Sequence, residues 1–153
     1  MDRDLIKRLR KLNQHHAYAT IQMHEAIGRK AGLSGTDHKY LGFLMEKGQM
    51  TAGELSVLTG LTTGAVTGLI DRFEKKKLVK RQTAEDDRRK VIIVPNTKKI
   101  MALLEPLYKD YRGRSENMMA SFSNKEIRAI EAYLVKAIGL LEETTEAMRL
   151  PGS

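Results

Sequence analysis

Between Thr51 and Lys99 the chain carries a series of local signals that few folds can accommodate together. Val66, Leu69, Ile70 and Phe73 fall at i, i+3, i+4 and i+7, so they form one apolar stripe of a helix that has to pack against something. The other side of this helix is kept low. Thr63, Gly64, Thr67 and Gly68 are short and uncharged there, with Arg72 and Lys75 following further along. A face meant only for water normally carries long charged side chains, whereas a low face lets the backbone approach another molecule closely. The major groove of DNA is wide enough to accept such a helix.

The flanking residues extend the pattern. Thr51-Ala-Gly-Glu54 is a capping box that opens a short helix through Leu55 and Leu58, and Gly60 supplies a turn. The order is helix, glycine turn, helix. Leu78 to Gln82 and Val91 to Val94, rich in β-branched residues, then read as two strands around a charged tip at Thr83 to Lys90. Such a hairpin is a wing, and Arg88, Arg89 and Lys90 at its tip suit a phosphate backbone or a narrow minor groove. The formal net charge is +8, and from Thr62 to Lys99 there are 11 basic residues against 5 acidic, leaving +6 in one quarter of the 153-residue chain. Charge clustered in this way is an electrostatic footprint for nucleic acid; the alternative is a solvated basic face.

On either side of this module lie long amphipathic helices. From Asp4 to about Lys30, Leu5, Leu9, Leu12, His16, Ala19, Met23 and Ala26 alternate steps of four and three, a heptad seam that needs a partner. Gly32 ends that helix, and Ser34-Gly-Thr-Asp37 opens the next, which turns Tyr40, Leu41, Leu44 and Met45 inward before Gly48. Pro95-Asn-Thr97 caps a further helix bearing Ile100, Leu104, Leu107, Tyr111, Met118 and Phe122, in which Pro106 predicts a kink or an interruption. Ser123-Asn-Lys-Glu126 is a second capping box, opening a last helix through Ile130, Leu134 and Leu141, with a frayed end expected at Pro151 to Ser153.

The fold class expected is mainly α with a small β-hairpin wing. Residues 34–99 form a winged helix-turn-helix lobe, and residues 1–31 and 100–150 form a helical lobe, within a single unit spanning 1–153. The terminal seams predict pairing with a second copy through Leu5, Leu9, Leu12, His16, Ile130, Leu134 and Leu141, the alternative being one bundle satisfied internally. A two-fold pair presents two recognition helices about 34 Å apart, matching the halves of a palindrome.

Several function classes are excluded. The chain has no cysteine, hence no disulfide, thiolate zinc site or thiol redox switch. No apolar run approaches the roughly 20 residues needed to span a bilayer, and the charged start lacks a signal-peptide pattern, so no membrane association and a cytoplasmic location are expected. Of the four histidines, His15 and His16 point about 100° apart on one helix, and no His-x-x-x-His spacing occurs. A metal site is therefore not expected, nor any cofactor. A phosphate loop, a nucleophile elbow and a metalloprotease motif are all missing, and Glu85-Asp-Asp87 and Glu142-Glu143 suit a wing and a solvent face better than an acid–base pair. An enzyme is not expected.

The helix-turn-helix from Thr51 to Lys77, its segment Gly64-Ala-Val-Thr-Gly-Leu-Ile-Asp-Arg72, the strand Leu78-Val-Lys-Arg81 and the tip Asp86-Asp-Arg-Arg89 resemble the multiple-antibiotic-resistance regulator (MarR) family of winged-helix bacterial transcription factors. The resemblance implies a homodimer held by its first and last helices, a recognition helix in each major groove and a wing arginine in each minor groove. It implies Thr62, Thr63, Gly64, Thr67 and Gly68 as groove-facing residues, and Arg89 as the minor-groove arginine oriented by Asp87. It further implies a small aromatic or anionic effector bound between the lobes, which releases DNA. Gly68 stands where many members carry a longer polar or basic residue, Lys77 replaces a frequent glycine, and Val94-Pro-Asn-Thr97 replaces the usual Leu-Thr and downstream glycine.

Two assignments stay open at this level. Arg72 can contact phosphate or pair within the chain with Asp71 or Glu74. His15, Tyr18, His38, Tyr40 and Met45 can line an effector cleft where the first two helices approach the DNA lobe, or belong to the core. The function expected is a homodimeric, sequence-specific regulator of double-stranded DNA, acting as a repressor on a pseudo-palindromic operator. The alternative is an architectural or protein-interaction winged-helix module, for which a low recognition face has no use.

Overall fold

The computed structural model describes residues 2–149; the frayed end expected at 151–153 lies outside them. Helix α1 (Arg3–Lys30) starts where the Asp2 carboxylate accepts from the amides of Asp4 and Leu5 at 2.9 and 3.0 Å. It ends in a glycine cap: Gly32 takes φ +75°, and the Leu33 amide donates back to the Gly28 carbonyl at 2.9 Å. Helix α2 (Gly35–Lys47) follows, with the Ser34 hydroxyl accepting from the Asp37 amide at 3.0 Å. Gly28 lets the two helices meet, because a Cβ at that position would lie 2.6 Å from the His38 Cβ.

A two-residue strand, β1 (Met50–Thr51), leads into α3 (Ala52–Thr59). Both arms of the expected capping box form: the Thr51 amide donates to Glu54 at 2.9 Å, and the Glu54 amide to the Thr51 hydroxyl at 3.1 Å. Gly60 turns the chain in the left-handed region, at φ +72°. Helix α4 (Thr63–Lys75) buries Val66, Leu69, Ile70 and Phe73 completely or nearly so. Its end repeats the geometry of α1 with a lysine in the glycine position. Lys77 takes φ +58°, its amide donates to Glu74 at 2.8 Å, and the Leu78 amide donates to Phe73 at 2.9 Å.

Strands β2 (Val79–Thr83) and β3 (Val91–Pro95) form the hairpin, pairing Arg81 with Ile93. β1 adds to the other edge of β3 through Met50 opposite Ile93, giving the antiparallel order β1-β3-β2. The wing is therefore rooted in the strand that precedes α3. Leu41, Leu44, Leu55, Phe73, Leu78, Ile93 and Ile100 close one core around α4. Burying a side chain of this size contributes about 1.5–3 kcal/mol, against about 0–1 kcal/mol for an exposed ion pair, so apolar packing holds α4 and ion pairs only trim its pose.

Helix α5 (Thr97–Ala120) is capped by Asn96, whose side chain accepts from the Lys99 amide at 3.1 Å. Of the kink or interruption expected at Pro106, the interruption does not occur, since α5 is continuous through it; Ile100, Leu103 and Leu104 of the preceding turns are seated on the core. One compact unit ends at Tyr108 and a second begins at Lys109. The first unit includes α1, which sequence patterning groups with the terminal helices; α1 packs on α2 through the Gly28 contact. The second holds the rest of α5 and α6 (Asn124–Arg149), opened by the Ser123–Glu126 capping box. Among the described residues, no helix is long and apolar enough to cross a membrane.

Candidate nucleic-acid interface

With the buried stripe inward, about 100° per residue places Gly64, Gly68, Asp71 and Lys75 on the outermost line of α4. Thr63, Thr67 and Glu74 lie on one flank, and Arg72 and Lys76 on the other. Thr62, Thr63, Gly64, Thr67 and Lys75 are all exposed, and no atom lies within 4 Å of where a Cβ on Gly64 would stand. Thr62 is the N-cap, its hydroxyl accepting from the Ala65 amide at 3.2 Å, so its first task is to start the helix. The Thr67 hydroxyl donates to the Thr63 carbonyl at 3.0 Å, which leaves its lone pairs and methyl group to face outward partners.

Arginine–carboxylate pairs tie down both flanks. Arg72 grips Asp37 of α2 with a bidentate fork, Nε and Nη2 each 2.8 Å from a carboxylate oxygen. This corrects the expected partners of Arg72, since Asp71 and Glu74 are engaged elsewhere. The fork, followed by the Ser34 hydroxyl, holds the Asp37 carboxyl below its ordinary range against the opposing effect of burial. Arg72 stays 56% exposed, and its Nη1 lies 3.6 Å from where a Gly68 Cβ would be, so one edge of the guanidinium remains open beside the low face. On the other flank Arg81 of β2 donates from Nη2 to Asp71 at 2.6 Å and from Nη1 to Glu74, and its amide donates to Glu74 at 3.3 Å.

At the wing tip Arg88, Arg89 and Lys90 are exposed. The Asp87 carboxylate accepts from the Arg89 amide at 2.9 Å and lies 3.5 Å from its Nε, while the Arg89 side chain remains 94% exposed. One carboxylate thus fixes the base of the arginine and leaves most of its surface free.

A cleft of about 380 Å³ opens between α1 and α2, lined by Ile21, His24, Glu25, Gly35, Thr36, His38, Lys39, Gly42, Phe43 and Glu46. Of the residues expected there, His38 lines it. Tyr40 is buried in the core and Met45 packs against that core, because they occupy the opposite side of α2. His15 and Tyr18 are exposed on α1 outside the lining. Sequence reasoning missed His24 and Tyr108. The Tyr108 hydroxyl bridges the two imidazoles, hydrogen-bonding to His24 Nδ1 and lying 3.2 Å from His38 Nε2. The histidine rings stack with centroids 5.5 Å apart. Burial lowers the pKa of both, and the His24 charge lowers that of His38 further.

The residues expected on a dimer seam are exposed in the single chain: Leu5, Leu9, Leu12 and His16 on α1, and Ile130, Leu134 and Leu141 on α6.

A family model described as "MarR family" matches residues 31–90, from α2 through β2 to the wing tip and ending before β3. The Bacillus subtilis HTH-type transcriptional regulator YcgE is 36% identical over 152 residues, covering 97% of this chain and 94% of its own length. The structure of a MarR family protein from Bacillus stearothermophilus is 30% identical, covers 95% of this chain and 99% of its own, and superposes with a TM-score of 0.72. The chain belongs to the MarR family. Streptococcus pneumoniae FabT in complex with DNA shares the fold, with a TM-score of 0.70 at 18% identity over 91% of this chain and 99% of its own. This MarR-family member is a helix-turn-helix transcription regulator and not an enzyme.

Proposed function

We propose that the protein is a cytoplasmic homodimer that represses transcription by occupying a pseudo-palindromic operator in double-stranded DNA. Each α4 lies in a major groove with Gly64, Thr67 and Gly68 against base edges. Each wing directs Arg89 to a minor groove, while Lys75, Arg88 and Lys90 neutralise phosphates. The low outer line of α4, bare at Gly64 and flanked by tethered carboxylates, carries this reading, because it serves base contact and is wasted on phosphates alone. That favours an operator-specific regulator over an architectural or protein-interaction module.

The N- and C-terminal helices supply the dimer lobe. They carry most of the large apolar side chains left exposed in one chain, among them Leu5, Leu12, Leu134 and Leu141. The α1–α2 cleft takes a small aromatic effector, its volume lying at the lower end of the range for small-molecule sites. Such a ligand releases DNA only by binding one state more tightly than the other.

Selection from random duplex DNA at physiological salt, with sedimentation of the free protein, tests the proposal. An inverted repeat with half-sites about one helical turn apart, bound by a dimer, is the expected result. Absence of any enriched motif, or a monomer on DNA, would overturn it.

A further inference from the structure

Asp71 and Glu74 pose a problem for a helix meant to enter a polyanion. Asp71 lies on the outermost line of α4 with its side chain 60% exposed, and Glu74 lies on the flank beside the wing. Two free carboxylates there would face phosphates across the groove edge. Both are instead held by Arg81, which reaches across from β2 with its two terminal nitrogens and is itself only 34% exposed. Its backbone is fixed by the pairing of β2 with β3, opposite Ile93. The outward Arg81 amide is taken by Glu74 as well. No lysine reproduces this arrangement, because one ammonium cannot span two carboxylates with a planar fork.

We infer that Arg81 is a positioning residue for DNA binding, which masks the Asp71 and Glu74 carboxylates from the phosphates. The inference rests on the proposed placement of α4 in the groove. Arg81 acts through the two acids and contacts no DNA itself, both terminal nitrogens being engaged by Asp71 and Glu74.

The test compares operator affinity and its salt dependence for four proteins: wild type, Arg81→Ala, Asp71→Asn/Glu74→Gln, and the triple substitution. The probe is a duplex selected against the wild type. Arg81→Ala is expected to weaken binding by roughly 10-fold or more, since like charges left facing each other across an interface are strongly unfavourable. The triple substitution is expected to recover most of that loss. Loss in Arg81→Ala without recovery in the triple would overturn the inference in favour of a direct phosphate contact or a purely structural role. Unchanged binding in Arg81→Ala would overturn it too. If Arg81→Ala does not fold, the double substitution decides, with equal or tighter binding expected and weaker binding contradicting the mask. Gly68→Glu separates the two levels, because unchanged affinity there would reject the groove placement itself, whatever Arg81 does.

Discussion

Gly28→Ala is the most telling single-methyl perturbation in the α1–α2 unit. The added Cβ would lie 2.6 Å from the His38 Cβ, 3.2 Å from its Cγ and 3.4 Å from the Ser34 carbonyl oxygen. Carbon atoms rest comfortably at about 3.5–4.0 Å, so the helices must part by about 1 Å. Neither Cβ can rotate away, being fixed to its backbone. Overpacking of this kind costs about 1–3 kcal/mol, and alanine over glycine in a helix returns about 1 kcal/mol. Displacing His38 also strains its hydrogen bond to Tyr108, a loss of about 1 kcal/mol. The net expectation is a destabilisation of about 1–3 kcal/mol, read as a fall in Tm of roughly 3–9 °C for a chain of this length. Gly42→Ala is the control. It lies on α2 with no atom within 4 Å of the new Cβ, and should gain about 0.5–1 kcal/mol. Thermal and urea unfolding of both variants measure the difference. If Gly28→Ala proves as stable as wild type while Gly42→Ala gains, the close approach of α1 and α2 is wrong.

Three further outcomes follow from the same geometry. Asp37→Asn should cost roughly 1–2 kcal/mol at neutral pH, the exposed Arg72 end discounting the pair; because the folded carboxyl lies below its ordinary 3.8, this contribution is complete above that value and fades as pH falls through the lower one, so the variant's acid unfolding limb should be flatter, and an unchanged limb would reject the pair. His24 and His38 have folded pKa values below 6.5, so the unfolded chain binds more protons and stability should fall as pH drops below about 6.5; His24→Gln/His38→Gln should remove that slope, and a slope that persists would show it arises elsewhere. Lys77→Gly should stabilise by about 0.5–1 kcal/mol, relief of left-handed backbone outweighing glycine's extra freedom when unfolded, and a loss of stability in chemical denaturation would contradict the cap geometry.

What the sequence made legible was local. The α4 stripe repeats with the helical period, and the capping boxes at Thr51 and Ser123 are set by a three-residue spacing, so both could be read from neighbours alone. Long-range partners could not. Arg72 finds Asp37 35 residues away in place of the acids beside it, and His24 meets Tyr108 84 residues away. Strand β1 is two residues long and exists only because β3 pairs with it, so no local pattern announces it. Gly28 looks like an ordinary helix interruption until His38 stands opposite. Pro106 lies inside a helix that continues on both sides of it, which the local rule for proline does not announce. The low outer face of α4 and the exposed basic wing tip were legible by residue type and spacing, while the Arg81 fork that tethers Asp71 and Glu74 depended on how β2 lies against α4.

The base-preference profile of Thr67→Ala, set beside that of the wild type, probes recognition most directly. If α4 reads bases and a symmetric pair presents it twice, selectivity should drop at one base pair in each half of the repeat and nowhere else. A profile unchanged at every position, or weakened evenly across the site, would mean that this surface does not lie against bases.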